Sequence, residues 1–339
     1  MKDSDILRII KTDDKQETES LFANARKIRE IHYGKSVYIR GLIEITNYCK
    51  NDCFYCGLRK SNKKIERYRL SLEEILICCR TGDKLGIKTF VLQGGEDVYL
   101  TENRVTEIII AIRQEFPEHA ISLSLGEREH HDYETFYRAG ANRYLLRHES
   151  ALDKHYRKLH PPSMSLNLRK SALFKLKEIG FQVGAGFMAG SPFQTPECLL
   201  EDIRFLEELK PQMVGIGPFI PQKDTPFGAK ESGSLILCLK MIALARLTLP
   251  EALIPATTAM GTIASNGREL ALNAGANIVM PNLSPPSARK LYAIYDNKVS
   301  GEEDASLNLC FLKEKIINAG YEPDMTRGDA KQTGNGYCS

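Results

Sequence analysis

Within eight residues the chain carries three thiols, Cys49, Cys53 and Cys56, at C-x3-C-x2-C spacing in Cys49-Lys50-Asn51-Asp52-Cys53-Phe54-Tyr55-Cys56. Thiolates this close together on a loop can all turn toward one small body, and iron-sulfur clusters are the usual body held by such a run. A cubane held by three cysteines keeps one iron open to an outside ligand, much as a catalytic metal keeps a position that a structural metal closes. Zinc would require a fourth Cys or His at ligand spacing, and residues 57–69 contain neither. The remaining cysteines, Cys78, Cys79, Cys198, Cys238, Cys310 and Cys338, are scattered, which is the ordinary distribution of a small buried hydrophobe. The clustered three are set among polar and aromatic spacers and read as ligands.

The elements around this loop must hold it in place. The apolar, β-branched run 37–45 ends where the cysteine loop begins and reads as a strand. From there a strand-then-helix rhythm repeats. Candidate strands lie at 88–93, 120–125, 143–148, 182–188, 212–218, 253–259 and 276–281, with amphipathic patterns between them. Several helical patterns end at glycine (Gly86, Gly140, Gly180, Gly275), the expected C-cap. Ser71 with Glu74 reads as a capping box. Eight strands alternating with helices predict an α/β fold of the (β/α)8 TIM-barrel type. The expected organisation is an N-terminal helical extension over 1–36, the barrel over 37–285, a C-terminal helical cap over 286–325 with apolar positions Leu309, Leu312, Ile316 and Ile317, and a poorly ordered polar tail over 326–339. In such a barrel the ends of the strands and the loops that follow them face the active site. That rim would collect the cysteine loop, Gly94-Gly95-Glu96, Arg147-His148-Glu149, Pro255 to Met260, and Met280.

Composition narrows the function further. The 339 residues carry 46 Lys and Arg against 43 Asp and Glu, a net charge of +3 that calls for no polyanionic partner, so nucleic acid is not expected. Nine cysteines without a regular disulfide spacing fit a reducing compartment. The first residues lack an apolar signal core and no run is long enough to cross a bilayer, so a cytoplasmic protein without a membrane partner is expected.

The motif C-x3-C-x-aromatic-C, with Gly94-Gly95-Glu96, resembles that of the radical S-adenosylmethionine (SAM) enzymes. More narrowly, Leu145 to Glu149, Val214 to Pro221, Pro255 to Thr262 and Gly275 to Asn282 resemble the HydE maturases of [FeFe] hydrogenase, over about residues 26–320. The resemblance implies one 4Fe-4S cluster held by Cys49, Cys53 and Cys56. It implies SAM chelated to the open iron and cleaved by one electron to methionine and a 5′-deoxyadenosyl radical, the hard chemistry belonging to the cofactor. On matching positions it implies cofactor contacts from Tyr55, Gly94, Gly95, Glu96, Ser122, Glu149 and Arg169, with Met280 near the adenosine, and substrate contacts from Arg40, Arg147, Thr257 and Thr258. Taken singly, a Gly-Gly is an ordinary βα turn and an Arg or Glu an ordinary rim salt bridge.

The implied substrate is a small organometallic or amino-acid-like molecule, a cysteine-bound iron carbonyl cyanide unit in the HydE case. The implied partners are a reductant such as a ferredoxin or flavodoxin, and the other hydrogenase maturases. Some relatives carry a second cysteine triad near the C-terminus. Here only Cys310 remains in that stretch, so no second cluster is expected, and Cys310, like Cys78 and Cys79, reads as packed. A methylornithine synthase-like mutase, a biotin synthase-like enzyme, and a non-catalytic iron-sulfur carrier or scaffold are the alternatives.

Overall fold

The structure is a computed structural model that describes residues 1–298 and 305–331. Helices α1 (Asp3–Lys11) and α2 (Lys15–Tyr33) open it, and the Asp14 carboxylate caps α2 by accepting from the Gln16 and Glu17 N–H groups. The chain then runs β1 (Ser36–Ile39), β2 (Gly41–Thr46), α3 (Leu72–Lys84), β3 (Thr89–Gly94), α4 (Glu102–Glu115), β4 (Ala120–Ser124), α5 (His130–Arg138), β5 (Arg143–Leu145), α6 (Asp153–Leu159), α7 (Leu166–Ile179), β6 (Gln182–Ala189), α8 (Pro196–Leu209), β7 (Met213–Pro218), α9 (Leu235–Thr248), α10 (Thr258–Ile263), α11 (Gly267–Asn273), β8 (Ile278–Val279), α12 (Pro286–Leu291), α13 (Ala305–Asn318) and β9 (Glu322–Asp324). The capping box of α3 forms as expected, Ser71 and Glu74 each accepting from the other's backbone N–H.

Strands β2 to β7 form one parallel six-stranded sheet in sequence order, and β8, β1 and β9 a second, three-stranded sheet. Single parallel bridges carry pairing beyond the edges, Met213 to Leu253, Pro255 to Ile278, and Leu42 to Asn282. The architecture is the expected α/β alternation, with differences in several of its strands, of which β5 stops at Leu145 rather than His148. The strand expected over 253–259 contributes bridges only, and the one over 276–281 shortens to β8. Pro255 and Pro281 have no N–H to donate to a ladder. The strand expected over 37–45 is divided at Arg40: β1 joins β8 and β9, while β2 joins β3. Every residue of β2 and β7 is buried, as parallel strands covered on both faces require.

The N-terminal ends of the strands are covered by the chain's own C-terminal segment, where a loose tail was expected. Arg143 donates to the Arg327 carbonyl at 2.9 Å and pairs with Asp329 at 2.7 Å, and Arg40 donates to the Gly328 carbonyl at 2.9 Å. Residues 326–331 are therefore tied down; 332–339 lie outside the described residues. Helix α13 buries Leu309, Leu312 and Ile316 but leaves Ile317 exposed. It lies against α11, through Lys315 and Glu269 at 3.3 Å. Cys310 is exposed, contrary to its expected packing, whereas Cys78 and Cys79 are buried.

Candidate functional site

The cysteine loop leaves β2 at Thr46 and is held by backbone groups from every side. Arg67 donates to the carbonyls of Leu58, Arg59 and Asn62 as well as that of Asn47, so one guanidinium gathers both ends of the loop. Phe54 N–H donates to Leu159 O at 2.9 Å, Gly57 N–H to Ile294 O at 2.9 Å, and Lys60 N–H to Asn51 O at 2.8 Å. Asp52 is fixed by Arg59 at 3.0 Å and by Ser61 N–H at 2.9 Å. Nothing in the local sequence marked Arg67 for this work.

Cys49, Cys53 and Cys56 are free and partly exposed. Burial pushes all three thiols up, Cys56 to about 12, and for Cys53 the neighbouring thiols add to it. Backbone N–H groups of Asn51 and Glu96 oppose this at Cys49, and that of Leu58 at Cys56. The set is three soft donors in each other's field, met by N–H groups that stabilise sulfur anions. That is the chemistry an iron-sulfur cluster needs, its charge being what allows the thiols to ionise together.

Gly94 and Gly95 end β3 against this loop. A Cβ on Gly95 would stand 2.7 Å from the Cys49 Cβ and inside contact distance of the Tyr48 carbonyl oxygen, so only glycine lets the two segments approach. The buried Glu96 carboxylate accepts from Glu127 N–H at 3.0 Å, with Lys50 at 3.5 Å and Arg169 at 3.7 Å. Arg169 also binds the Glu127 carboxylate and donates to Arg147 O at 3.1 Å. Burial works against its charge, but Glu127, Tyr156 and Glu96 outweigh that and hold its pKa up. Tyr55 meets His160 Nε2 at 3.1 Å, while His160 Nδ1 faces Tyr156 O at 3.0 Å. A carbonyl can only accept, so in the neutral ring Nδ1 donates and Nε2 accepts from Tyr55. Burial drives His160 down to about 3, which keeps it neutral.

Below the loop lies a cavity of about 330 Å³. Of the residues singled out from the sequence, Cys53, Cys56, Tyr55, Arg147, Glu149, Thr257, Thr258 and Met280 line it. Cys49, Gly94, Gly95, Glu96 and Arg169 sit beside it around the loop. Past the end of β5 at Leu145, Arg147 and Glu149 face the cavity while His148 turns away to Asp202 at 3.3 Å. Glu149 has a left-handed backbone, φ 63°, and its carboxylate pairs with Arg147 at 2.9 Å. A non-glycine residue in that region costs about 1–3 kcal/mol and is found at functional sites.

Two of the expected residues are not brought to the cavity. Arg40 lies at the opposite, N-terminal end, bound to Gly328, because it stands at the start of β2. Ser122 is fully buried in β4, paired in register with Val91 and Arg143, and its hydroxyl has no partner. Conversely, Glu44, Tyr295 and Lys298 line the cavity without having been singled out. Lys298 pairs with the buried Glu44, whose other oxygen accepts from Asn282 at 2.9 Å. Glu44 was a readable signal, a carboxylate inside an apolar strand; Lys298 had none.

Comparison with known proteins agrees with this geometry. The Radical SAM superfamily profile matches residues 43–206. The chain is 45% identical over 315 residues to the [FeFe] hydrogenase maturase subunit HydE of Thermotoga maritima, covering 93% of this chain and 89% of that one. It is 33% identical to 3-methylornithine synthase of Methanosarcina barkeri, covering 95% and 90%. Among solved structures, methylornithine synthase (PylB) superposes with a TM-score of 0.86 at 30% identity over 97% of this chain and 95% of that one. The maturase HydG superposes at 0.80 and 19% identity over 96% and 73%, which speaks to fold alone. The chain is a radical SAM enzyme, a member of the branch of that superfamily that includes HydE and 3-methylornithine synthase.

Proposed function

We propose that this enzyme acts in assembly of the [FeFe] hydrogenase diiron subcluster, as HydE does, on a small anionic precursor. The observation that carries the reading is a pair of orphaned donors at the cavity. Arg147 Nε and Thr257 Oγ1 are buried without hydrogen-bond partners, on a cavity that also reaches Cys53 and Cys56. A buried polar group left unpaired is costly, so a site that keeps two of them is built for a ligand that satisfies both. A cysteine-bound iron carbonyl cyanide unit has the required size, charge and acceptors, and the 45% identity to HydE supports it over the mutase.

Cys49, Cys53 and Cys56 would hold one 4Fe-4S cluster, which with SAM would supply the one-electron chemistry of a 5′-deoxyadenosyl radical. The protein's part is placement. Gly94 and Gly95 let backbone reach the methionyl group, and Glu96 accepts from its amine. Arg169 would balance its carboxylate, Glu149 would accept from the ribose hydroxyls, and Met280 would pack near the adenosine. Arg147, Thr257 and Thr258 orient the substrate beyond. Residues 292–298 close the mouth above them: Gly57 N–H donates to Ile294 O, Asp296 N–H to Pro221 O at 3.0 Å, and Lys223 N–H to the Asp296 carboxylate at 2.8 Å. That cover keeps water and oxygen from a reactive radical. A ferredoxin or flavodoxin would supply the electron and the other maturases would receive the product. No described helix is long and apolar enough to cross a membrane.

The test is maturation in vitro. Added to an extract containing apo-[FeFe] hydrogenase and every maturase except HydE, the reconstituted enzyme is expected to restore hydrogen evolution. Conversion of lysine and SAM to 3-methylornithine, with no restored hydrogenase, would replace this reading with the mutase.

A further inference from the structure

Phe193 lies in the loop between β6 and α8, on the side of the fold that carries the cysteine loop. It combines an exposed aromatic side chain with a backbone conformation that non-glycine residues rarely adopt. Its ring is 53% exposed, and its backbone is left-handed at φ 66°. The loop is not floppy there. Gln194 accepts from Gly190 N–H at 2.6 Å and donates to Met188 O at 2.8 Å, and the Pro192 carbonyl meets His155 at 3.1 Å. A non-glycine residue held rigidly in left-handed backbone points to function.

Two cations flank that ring, Lys158 Nζ at 5.1 Å and Lys230 Nζ at 5.4 Å from its centroid. Behind it, Phe227 lies 6.1 Å away, and Phe54 lies 6.0 Å beyond Phe227. Phe54 is part of the cysteine loop, between Cys53 and Tyr55. Backbone bonds lock the three segments together, Phe227 N–H to Phe54 O at 3.2 Å and Phe54 N–H to Leu159 O at 2.9 Å. Lys158 and Lys230 are exposed and form no ion pair among the described residues; of the acids near them in sequence, Asp153 is paired with Arg157, and Glu231, next to Lys230, is exposed. The chain thus turns outward an aromatic ring flanked by two lysines and linked through Phe227 to Phe54 of the cysteine loop.

We propose that Phe193, with Lys158 and Lys230, is the docking point for a small acidic flavoprotein of the flavodoxin type that delivers the electron for SAM cleavage. The proposal rests on the radical SAM reading of the cysteine loop. The occupant follows from complementarity. The exposed edge of a flavin is a flat apolar surface, and carboxylates around it would meet the lysines that flank Phe193. One electron passes from the reduced flavin, anionic hydroquinone to neutral semiquinone, to the centre held by Cys49, Cys53 and Cys56. No proton moves and no bond in either protein is made or broken.

The experiment titrates oxidised flavodoxin into the reconstituted enzyme by calorimetry at low and high salt. Formation of 5′-deoxyadenosine is then followed with reduced flavodoxin and, separately, with dithionite. Phe193→Ala and the double variant Lys158→Glu/Lys230→Glu are each expected to weaken flavodoxin binding, and to raise its KM, about tenfold or more. Phe193→Tyr should restore most of the affinity, and the double variant should flatten the salt dependence. Dithionite-driven product should stay within twofold of wild type, since neither change touches the cavity. Lys27→Glu, the same substitution made once on the exposed face of α2, should alter nothing. Unchanged affinity and KM in both patch variants, equal weakening by Lys27→Glu, or docking of an acidic ferredoxin but not flavodoxin at this patch would each overturn the proposal. Absence of dithionite-driven product in the wild type would instead remove the radical SAM reading of the site, and the binding titration would still decide the patch.

Discussion

Gly95 shows how a single residue sets the distance between two functional segments. With no side chain it lets the β3 turn lie against the Tyr48 carbonyl and the Cys49 Cβ. Overpacking at a well-packed contact costs about 1–3 kcal/mol, which here falls on the cysteine loop and not on a distant core. Gly95→Ala is therefore expected to lower iron retained per chain under competing chelator roughly tenfold while leaving the melting temperature within a few degrees of wild type. Full iron retention would show that the loop tolerates the displacement. At this scale the sequence was informative where chemistry and position coincide. The three cysteines, the Gly-Gly pair, and Arg147 and Glu149 bracketing an outward His148 could all be read from type and spacing. Depth along a strand could not. Ser122 has a suitable hydroxyl and the inward parity, yet sits level with Arg143, and Arg40 occupies the start of a strand rather than its end.

Among the elements, the segment 326–331 departs furthest from expectation. Its glycine and polar residues read as a loose tail, yet its carbonyls and Asp329 supply the partners of Arg40 and Arg143, two buried cations that a sheet end could not otherwise hold. A polar segment that satisfies distant buried charges has the same composition as a disordered one, so only the tertiary structure separates them. Burial works to raise the Asp329 carboxyl, but Arg143 and Arg327 outweigh it and hold the group below the usual carboxylate range. A carboxylate lowered in this way stabilises the fold at pH above its unfolded value of ~3.9 and loses that contribution as pH falls through the folded value. Asp329 is partly exposed, which screens the pair, so Asp329→Asn should cost about 1–2 kcal/mol at pH 7. The gap from wild type should close as pH falls below ~4. Urea unfolding of both proteins across pH 3 to 7 measures this, and a gap that persists or widens in acid would assign the stability to something other than the ion pair. The shortened strands at Pro255 and Pro281 carry a related lesson: alternation located them, but the missing N–H groups decided how much ladder they form.

At the scale of the whole molecule, residues from 42 to 298 come together around one cavity, with the cysteine loop above it and the 292–298 cover stitched across the mouth. The βα rhythm predicted which rim would hold the site, because loops after parallel strands converge there. It gave no sign of the cover, or of Tyr295 and Lys298 on it, since those residues lie beyond the repeating units and follow no periodicity. All of these parts serve one claim, that three thiols at the cavity mouth hold a centre that cleaves SAM by one electron. The most direct test is anaerobic reconstitution of wild type and Cys53→Ala with iron and sulfide, followed by dithionite and SAM, with 5′-deoxyadenosine and methionine quantified by chromatography. Wild type should release both in equal amounts, and Cys53→Ala should release neither. Iron-loaded wild type that yields no 5′-deoxyadenosine, or a Cys53→Ala variant that still does, would contradict it.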